Sequence, residues 1–423
     1  MESDATRMCE LLIGLPDVTV LGVDDEPGPL VVHVESAGLV RACLGCREPG
    51  RVRARAKVTL VDLPCFGRPT RLVWHCHNSL CAMVSWTWED TRIAAPRMLL
   101  TDRAGRLVTE QVGRHGRTVN EVATELACDW HTVMDAVVAY GEPLVDDPDR
   151  IGDPIAVGLD ETLFNKTGPS RKQAWTTAIV DVAPRLLDLV EGRDSAAPCA
   201  WFARRGVEWC EQIRWATLDL SGPYRKVFNT MLPDAIQIAD PFHVVKLANT
   251  MMDEVRRRIQ NETLGHRGRK ADPLYRARRK LLMGAERHDE ASTAKLLALL
   301  ATGDPTGDVT TAWHAKEVVR GIYRQPNVVD AADWIDDIIE HFADRACPPE
   351  VRRLGRTISA WRNEILAWHR AHLSNGPTEA INNLTKRIKR IAFGFREFRH
   401  FRIRALLYAG KPDWDLLATL TPR

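Results

Sequence analysis

The sequence lacks the features that would place the chain in a membrane or direct it out of the cell. No apolar run in its 423 residues approaches the roughly 20 residues that cross a bilayer. Its first residues, MESDATRMCELLIGLPD, are acidic where a secretory signal would be basic. We therefore expect a soluble, intracellular protein without membrane contacts, and the length is sufficient for roughly two to four domains.

The chain also lacks a net charge large enough to indicate a partner, because the formal net charge is only +2. Its basic residues are nevertheless concentrated. Ten Lys or Arg lie in residues 256–280, beginning with Arg256, Arg257 and Arg258, and eight lie in residues 374–404. A solvated helix face would explain either cluster alone. Together, balanced by an acidic remainder, the two clusters predict surfaces that bind phosphate groups.

Disulfides are not expected in an intracellular chain, so its ten cysteines are better interpreted as thiols or metal ligands. Residues 18–90 alternate in the manner of short strands, and two cysteine pairs fall among them, Cys43 with Cys46 and Cys76 with Cys81. Two close pairs on tight turns supply the four soft ligands of a tetrahedral Zn²⁺ ion. The alternatives are four unrelated reduced cysteines, or His75 or His77 in place of one cysteine.

Residues 101–144 change to a helical period. The segment TVNEVATELACD predicts a helix with Thr118 as N-cap and Glu121 in the position of a capping box. A short turn separates it from WHTVMDAVVAYG. Two such helices predict a helix-turn-helix whose second helix enters the major groove of DNA, although helix pairs without DNA-binding function are common. Trp130, His131 and Thr132, at the start of that helix, are the candidates for base contacts.

Three short apolar runs each end in aspartate: IAVGLD at Asp160, IRWATLD at Asp219 and AIQIAD at Asp240. Runs without polar alternation are typical of buried strands. Between the first two runs, AWTTAIVDV and RLLDLVEG predict two more strands, and CAWFARRGVEWCEQ predicts a helix. This order is that of a ribonuclease-H-like fold, in which three antiparallel strands precede a helix and a strand parallel to the first. The first and fourth strands then end side by side, so we expect Asp160 and Asp219 to meet.

Paired carboxylates repel each other unless a cation lies between them, so this pairing predicts a metal site. Oxygen ligands favour Mg²⁺ or Mn²⁺ over Zn²⁺. Asp240, with His243 one turn later, is the alternative to Asp219 as second ligand. Glu161 should point to the opposite face from Asp160 and can serve only as an indirect support of the site. Aspartates that merely cap the following elements remain an alternative for each residue taken alone.

The segment SNGPTEAINNLTKRIKR, residues 374–390, places one carboxylate ahead of a basic helix. Glu379, Asn383, Lys386 and Arg390 recur at steps of four, three and four, which is one helical face. We interpret Glu379 as a third carboxylate of the metal site. The amide and the basic residues of the helix, which include Arg387 and Lys389, are candidates to contact the DNA backbone. The alternative is that Glu379 only complements the helix macrodipole.

Three segments together resemble the DDE transposases of the ISL-three family of bacterial insertion sequences: VGLDETLF, ATLDLSGPYRKVFNTMLPDAIQIADPFHVVK and SNGPTEAINNLTKRIKRIAFGFREFRHFRIRALL. The resemblance implies a catalytic triad of Asp160, Asp219 and Glu379, with Mg²⁺ or Mn²⁺. It implies double-stranded DNA as partner, both the terminal inverted repeats of the element and target DNA, on the bacterial nucleoid. Because two ends are joined, it further implies a homodimer or a larger synaptic assembly. A DNA-binding regulator derived from a transposase and a ribonuclease-H-like nuclease are the alternatives.

The expected fold is a multidomain α+β and α/β chain. Its predicted parts are a zinc-ribbon-like β module at 1–95, a helix-turn-helix at 96–150, a ribonuclease-H-like mixed-sheet core at 151–250 and 361–423, and an α-helical insertion at 251–360. The insertion follows from the resemblance and agrees with the helical period of TAKLLALLATG, AWHAKEVVRGIY and DWIDDIIEHFADR.

Overall fold

The protein is described here by a computed structural model that covers residues 2–422 apart from 3, 16, 37–42, 44, 49, 82–83, 88–89 and 168–171. It has a mixed α and β architecture with two mixed five-stranded sheets. Among the described residues, no helix combines the length and the apolar character needed to cross a bilayer.

The first sheet is formed near the N-terminus and follows one helix, α1 (Ala5–Ile13). Its strands are β1 (Val18–Asp24), β2 (Leu30–Ser36), β3 (Arg51–Cys65), β4 (Arg68–Leu80) and β5 (Ser85–Thr87). They lie in the order β1-β2-β4-β3, with β5 on β4, and β2 runs parallel to β4. Leu60, Leu72 and Trp74 are buried on one face of this sheet. The predicted β-rich character of this segment is therefore confirmed.

Three helices follow: α2 (Asp102–Thr109), α3 (Val119–Glu125) and α4 (Trp130–Val145). The predicted capping box at the start of α3 is confirmed. The Glu121 amide donates to Thr118 Oγ1, and the Thr118 amide donates to the Glu121 carboxylate, each over 3.0 Å. These two bonds satisfy amides that the first turn of a helix leaves without partners. Four residues connect α3 to α4.

The second sheet contains the strands that the apolar runs predicted: β6 (Ala156–Thr167), β7 (Lys172–Asp181), β8 (Arg185–Glu191), β9 (Trp215–Leu218) and β10 (Ile236–Ala239). Their order is β10-β9-β6-β7-β8. The pairs β6–β7 and β7–β8 are antiparallel, whereas β9 is parallel to both β6 and β10. The helices α5 (Ala196–Ala203), α6 (Val207–Glu211) and α7 (Gly222–Met231) lie between these strands in the chain. The expected strand directions are thus confirmed. The expectation that the first and fourth strands end side by side is wrong, because β9 ends at Leu218 whereas β6 continues past Asp160 to Thr167.

Within the described part of the chain, only helices and turns follow β10. They are α8 (Pro241–Leu264), α9 (Pro273–Leu282), α10 (Glu290–Gly303), α11 (Asp308–Gly321), α12 (Val328–Ala343), α13 (Pro349–Ala360), α14 (Arg362–Ala371), α15 (Gly376–Ile391) and α16 (Phe398–Ala409). The predicted limit at residue 250 falls inside α8, which is one continuous helix.

Two hydrophobic cores cover the two faces of the second sheet. One contains apolar residues of α2, α3 and α4 together with Ala178 and Val180 of β7 and Leu406 of α16. The other joins the opposite face, through Leu159 and Ile179, to α7 and to the helices from α8 to α14. The predicted domain limit at residue 150 therefore crosses a shared core. The reason is that a central sheet has two apolar faces, and both must be covered.

Candidate active site

Asp160, within β6, and Asp219, directly after β9, lie close enough for their charges to interact. Gly158 of β6 pairs with Thr217 of β9. Asp160 and Asp219 lie two residues beyond Gly158 and Thr217, respectively. Neighbouring strands are about 4.8 Å apart. Burial and then the charge of Asp219 raise the pKa of Asp160, and burial raises the pKa of Asp219. The expectation that these carboxylates meet agrees with this geometry.

The Asp219 carboxylate has an oxygen, Oδ1, that is buried and accepts no hydrogen bond from the described residues. A buried carboxylate oxygen without a partner is costly. A cation that binds between Asp160 and Asp219 would remove both that cost and the repulsion between the two charges. The donor set of oxygens fits Mg²⁺ or Mn²⁺.

Asp160 is oriented by Asn382, a residue that was not among the predicted site residues. The buried Asn382 side chain donates from Nδ2 to Asp160 Oδ2 and accepts from Thr162 Oγ1 over 2.7 Å. The opposite Asp160 oxygen accepts from the Glu161 amide over 2.7 Å. The predicted residue, Asn383, is the exposed neighbour. A signal was present, because Asn382 falls on the buried stripe of α15 with Ile381, Thr385 and Ile388, where a polar residue needs a partner.

Gly158 allows α15 to approach β6 closely. A Cβ atom at this position would lie 2.2 Å from Thr378 Oγ1, 2.7 Å from Thr217 Oγ1 and 3.1 Å from Asn375 Oδ1. Only glycine leaves room for these atoms. The first turn of α15 therefore packs directly on the strand that carries Asp160, and Glu379 is the residue after Thr378.

Glu379 is linked to the sheet through His243 and Asp240. His243 Nε2 lies 3.8 Å from Glu379 Oε1, and His243 Nδ1 lies 3.1 Å from Asp240 Oδ2. The hydrogen bond to Asp240 raises the pKa of His243. The Glu379 side chain is 43% exposed, so it can contact a ligand. The exposed face predicted for α15 is present, because Glu379 is accessible and Asn383, Lys386 and Arg390 are exposed.

Asp240 lies in a different environment from Asp160 and Asp219. It is only 3% exposed and caps the N-terminus of α8. Its Oδ1 accepts from the Asn375 amide over 2.9 Å, and its Oδ2 accepts from His243. Burial alone would raise the pKa of Asp240, but the hydrogen bonds from His243 and Asn375 hold that pKa below its ordinary value. Both oxygens are thus used within the protein, which favours Asp219 over Asp240 as the second metal ligand. Glu161 follows Asp160 on β6 and lies on the opposite strand face.

Several residues predicted to bind DNA are occupied by internal contacts. Arg256 is buried against Asp253 and Gln260. Arg258 pairs with Glu350 at 2.7 Å and with Asp308 at 2.8 Å. The interpretation of Arg256 and Arg258 as free DNA-binding cations is therefore corrected. Asp253, one helical turn away, binds the guanidinium group of Arg256, and the sequence-distant Asp308 and Glu350 bind that of Arg258.

The remaining basic candidates differ in their accessibility. Arg257 is exposed, although it pairs with Asp253 at 2.5 Å. Lys389 donates to the Leu163 carbonyl over 2.6 Å, and burial lowers its pKa. Lys389 therefore fastens α15 to β6 and is not a free cation. Arg387, on α15, remains exposed.

At the start of α4, Trp130 and His131 are exposed and could contact DNA, and the Trp130 ring lies 6.2 Å from that of His400. Thr132 is only 9% exposed. The prediction for Thr132 is therefore corrected, since its side chain faces the protein interior.

Three of the four predicted zinc ligands meet. The sulfur atoms of Cys43, Cys46 and Cys81 all lie within 4.8 Å of one another. Cys76 lies outside this group, because strand alternation points its side chain into the core with Trp74, where burial raises the pKa of Cys76 to about 12. The expectation that Cys76 is a ligand is corrected accordingly.

The two histidines considered as substitute ligands are also engaged elsewhere. His75 Nε2 lies 3.4 Å from His33 Nδ1, and His77 Nε2 lies 2.7 Å from Glu35 Oε1. Three thiolates are nevertheless the soft donors that Zn²⁺ prefers, so the cysteine group fits that metal.

A sheet that brings carboxylates together beside a basic helix is typical of enzymes acting on phosphodiesters. Comparison with known proteins identifies the family. The model of the ISL-three group of DDE transposases, described as "Transposase", matches residues 157–405, which is more than half of the chain. The chain therefore belongs to this transposase family. The matched segment contains the second sheet and extends into α16.

Individual relatives agree with this assignment. The transposase for insertion sequence element IS1557 of Mycobacterium tuberculosis is 30% identical over 291 residues. That match spans 63% of this chain and 63% of the relative's length. The transposase for insertion sequence element IS1001 of Bordetella parapertussis is 24% identical over 403 residues, or 90% of this chain and 92% of the relative.

A solved structure, the Drosophila P element transposase strand transfer complex, is similar at a TM-score of 0.39 and 9% identity. The similar region covers 74% of this chain and 92% of that one. This distant similarity carries no argument about function.

Proposed function

We propose that the protein is a DNA transposase that binds the terminal inverted repeats of its insertion sequence and catalyses strand cleavage and strand transfer. The observation that carries this proposal is the convergence of Asp160 and Asp219 on neighbouring strands of the second sheet, beside the first turn of α15, which packs on Gly158 and carries Glu379. The strand order β10-β9-β6-β7-β8 supports a ribonuclease-H-like catalytic core.

Asp160, Asp219 and Glu379 would hold the divalent ions, and the unpartnered oxygen of Asp219 supports this assignment. Mg²⁺ or Mn²⁺ would stabilise charge on the attacking and leaving oxygens of the phosphodiester. The contribution of the protein is positioning. Asn382 fixes the orientation of Asp160, and the chain of contacts from Asp240 through His243 supports Glu379.

DNA would approach along the exposed face of α15. Asn383, Lys386, Arg387 and Arg390 can contact phosphates there, and Lys386 is close enough for its charge to lower the pKa of Asp160. Phosphate contacts determine register and affinity but carry no sequence information. Sequence would be read by the helix pair through Trp130 and His131, aided by a zinc module at Cys43, Cys46 and Cys81. Joining two ends would require a dimer or larger assembly.

The test is to incubate the purified protein with DNA carrying its own gene and flanks, in Mg²⁺ and in Mn²⁺, and to map the strand breaks. We expect breaks at two inverted repeats that disappear in Asp160→Asn, Asp219→Asn and Glu379→Gln. Glu161→Gln is the matched control, because it changes the next carboxylate of β6 on the opposite face. Loss of cleavage in Glu161→Gln but not in Asp160→Asn would contradict the assignment. Tight binding to the repeats without breaks in either metal would favour a DNA-binding regulator instead.

A further inference from the structure

Phe393, just beyond the end of α15, stands almost entirely in solvent. Its side chain is 94% exposed, and its backbone adopts a φ of 54°. Left-handed backbone is rare for bulky residues and costs free energy, and such strain is concentrated at functional sites. An apolar ring that is both strained and exposed contributes little to folding, and the surface beside it decides whether it can contact a ligand.

The loop that carries Phe393 is held in place. The Phe393 amide donates to the Arg390 carbonyl over 3.0 Å, and the Gly394 amide donates to the Lys389 carbonyl over 2.9 Å. Phe395, two residues later, packs its ring 5.2 Å from that of Phe401. One phenylalanine of the loop thus anchors it to the protein while the other is directed outward.

Phe393 follows directly on the exposed face of α15 that runs from Glu379 through Lys386 to Arg390. From Glu379 to Phe393 is about 20 Å at the rise of an α-helix. This length corresponds to about six base pairs of duplex at 3.4 Å each. The same basic face is the surface that we propose for the DNA leading to the carboxylates, so the charge around Phe393 is complementary to a nucleic acid.

We propose that Phe393 contacts the bases of the bound DNA, about six base pairs from the phosphate at the carboxylates, by stacking on a base or by inserting at a base step. This inference rests on the proposed function, because it assumes that DNA occupies the face of α15. Aromatic rings stack on bases of any sequence, and exposed apolar side chains can act as wedges between base steps.

The test uses Phe393→Gly and Phe393→Trp in the full chain. Glycine relieves the left-handed backbone, so Phe393→Gly should raise the thermal unfolding midpoint and yet weaken binding to a cleaved repeat end by roughly ten- to hundredfold. Phe393→Trp should retain binding. With 2-aminopurine placed singly along the end, wild type should change the fluorescence near position six, and Phe393→Gly should abolish that change.

Phe66 supplies a matched control. It is 86% exposed with a φ of 51° at the turn between β3 and β4 and is also followed by glycine. Phe66→Gly should raise the unfolding midpoint without altering the fluorescence near position six. Loss of that signal in Phe66→Gly, or unchanged affinity and fluorescence in Phe393→Gly, would overturn the proposal. If wild type itself neither binds nor cuts the ends, the proposed function fails and this inference fails with it.

Discussion

Replacing Gly158 with alanine should separate Glu379 from the two aspartates. The added Cβ would lie 2.2 Å from Thr378 Oγ1 and 2.7 Å from Thr217 Oγ1, and both hydroxyls belong to buried residues. Contacts under 3.0 Å cannot persist, so α15 must move away from β6. Because Thr378 immediately precedes Glu379, the displacement reaches the site directly.

The expected magnitudes follow from this geometry. Overpacking a buried site by one methyl group typically costs about 1–3 kcal/mol of the free energy of unfolding. A misplacement of catalytic groups by about 1 Å can cost roughly a hundredfold in rate. We therefore expect Gly158→Ala to remain folded, with a lowered unfolding midpoint, and to cleave repeat ends about a hundredfold more slowly at saturating DNA.

Two further variants make this experiment specific. Gly222→Ala is the matched control, because a Cβ there would meet nothing within 4 Å. Adding Thr378→Ala to Gly158→Ala removes the closest of the clashing atoms and should restore part of both stability and cleavage, as a double-mutant cycle would measure. Wild-type cleavage and stability in Gly158→Ala would refute the view that close packing of α15 on β6 positions Glu379.

Three other predictions concern single side chains. Asn382→Ala should lower the cleavage rate of bound DNA about ten- to hundredfold, because Asp160 loses its orienting donor. Asn383→Ala should instead weaken DNA binding. Equal single-turnover rates for wild type and Asn382→Ala would disprove the orienting role of Asn382. Asp219→Asn should abolish cleavage and yet raise the thermal unfolding midpoint of the metal-free protein, because the substitution removes the cost of a buried charge. Added Mg²⁺ should raise the unfolding midpoint of wild type but not that of the variant. Cys81→Ser should lose its bound zinc, whereas Cys76→Ser should retain it, as metal analysis of the purified variants would show. The reverse result would identify Cys76 as a zinc ligand.

The strands of the second sheet could be predicted from the sequence, and so could Asp219 and Asp240, which directly follow β9 and β10. β9 and β10 are short apolar runs that each end at an aspartate, whereas β6 continues beyond Asp160 because its pairing with β7 extends to Thr167. The capping box of α3 was equally predictable, because it involves residues only three apart. The accessible face of α15 followed from helical period alone.

The roles of individual polar residues could not be predicted in this way. Asn382 and Asn383 are chemically identical neighbours, and only the packing of α15 on β6 decides which one reaches Asp160. Arg256 and Arg258 belong to a basic cluster in the sequence. In the fold, however, Glu350, which is distant in sequence, binds Arg258.

The sequence by itself determined the local elements, the family and the residue types available for chemistry, because periodicity, capping and motif spacing are properties of short segments. The tertiary structure decided which of those residues meet. It brought Asp219, which has a carboxylate oxygen without a hydrogen bond from the described residues, close to Asp160, whereas both oxygens of Asp240 are hydrogen-bonded. It also directed the side chain of Cys76 into the core of the first sheet. The difference between Asp219 and Asp240 depends on strand register and on contacts between segments that lie more than a hundred residues apart, such as that of Asn375 with Asp240, and no local pattern encodes such contacts.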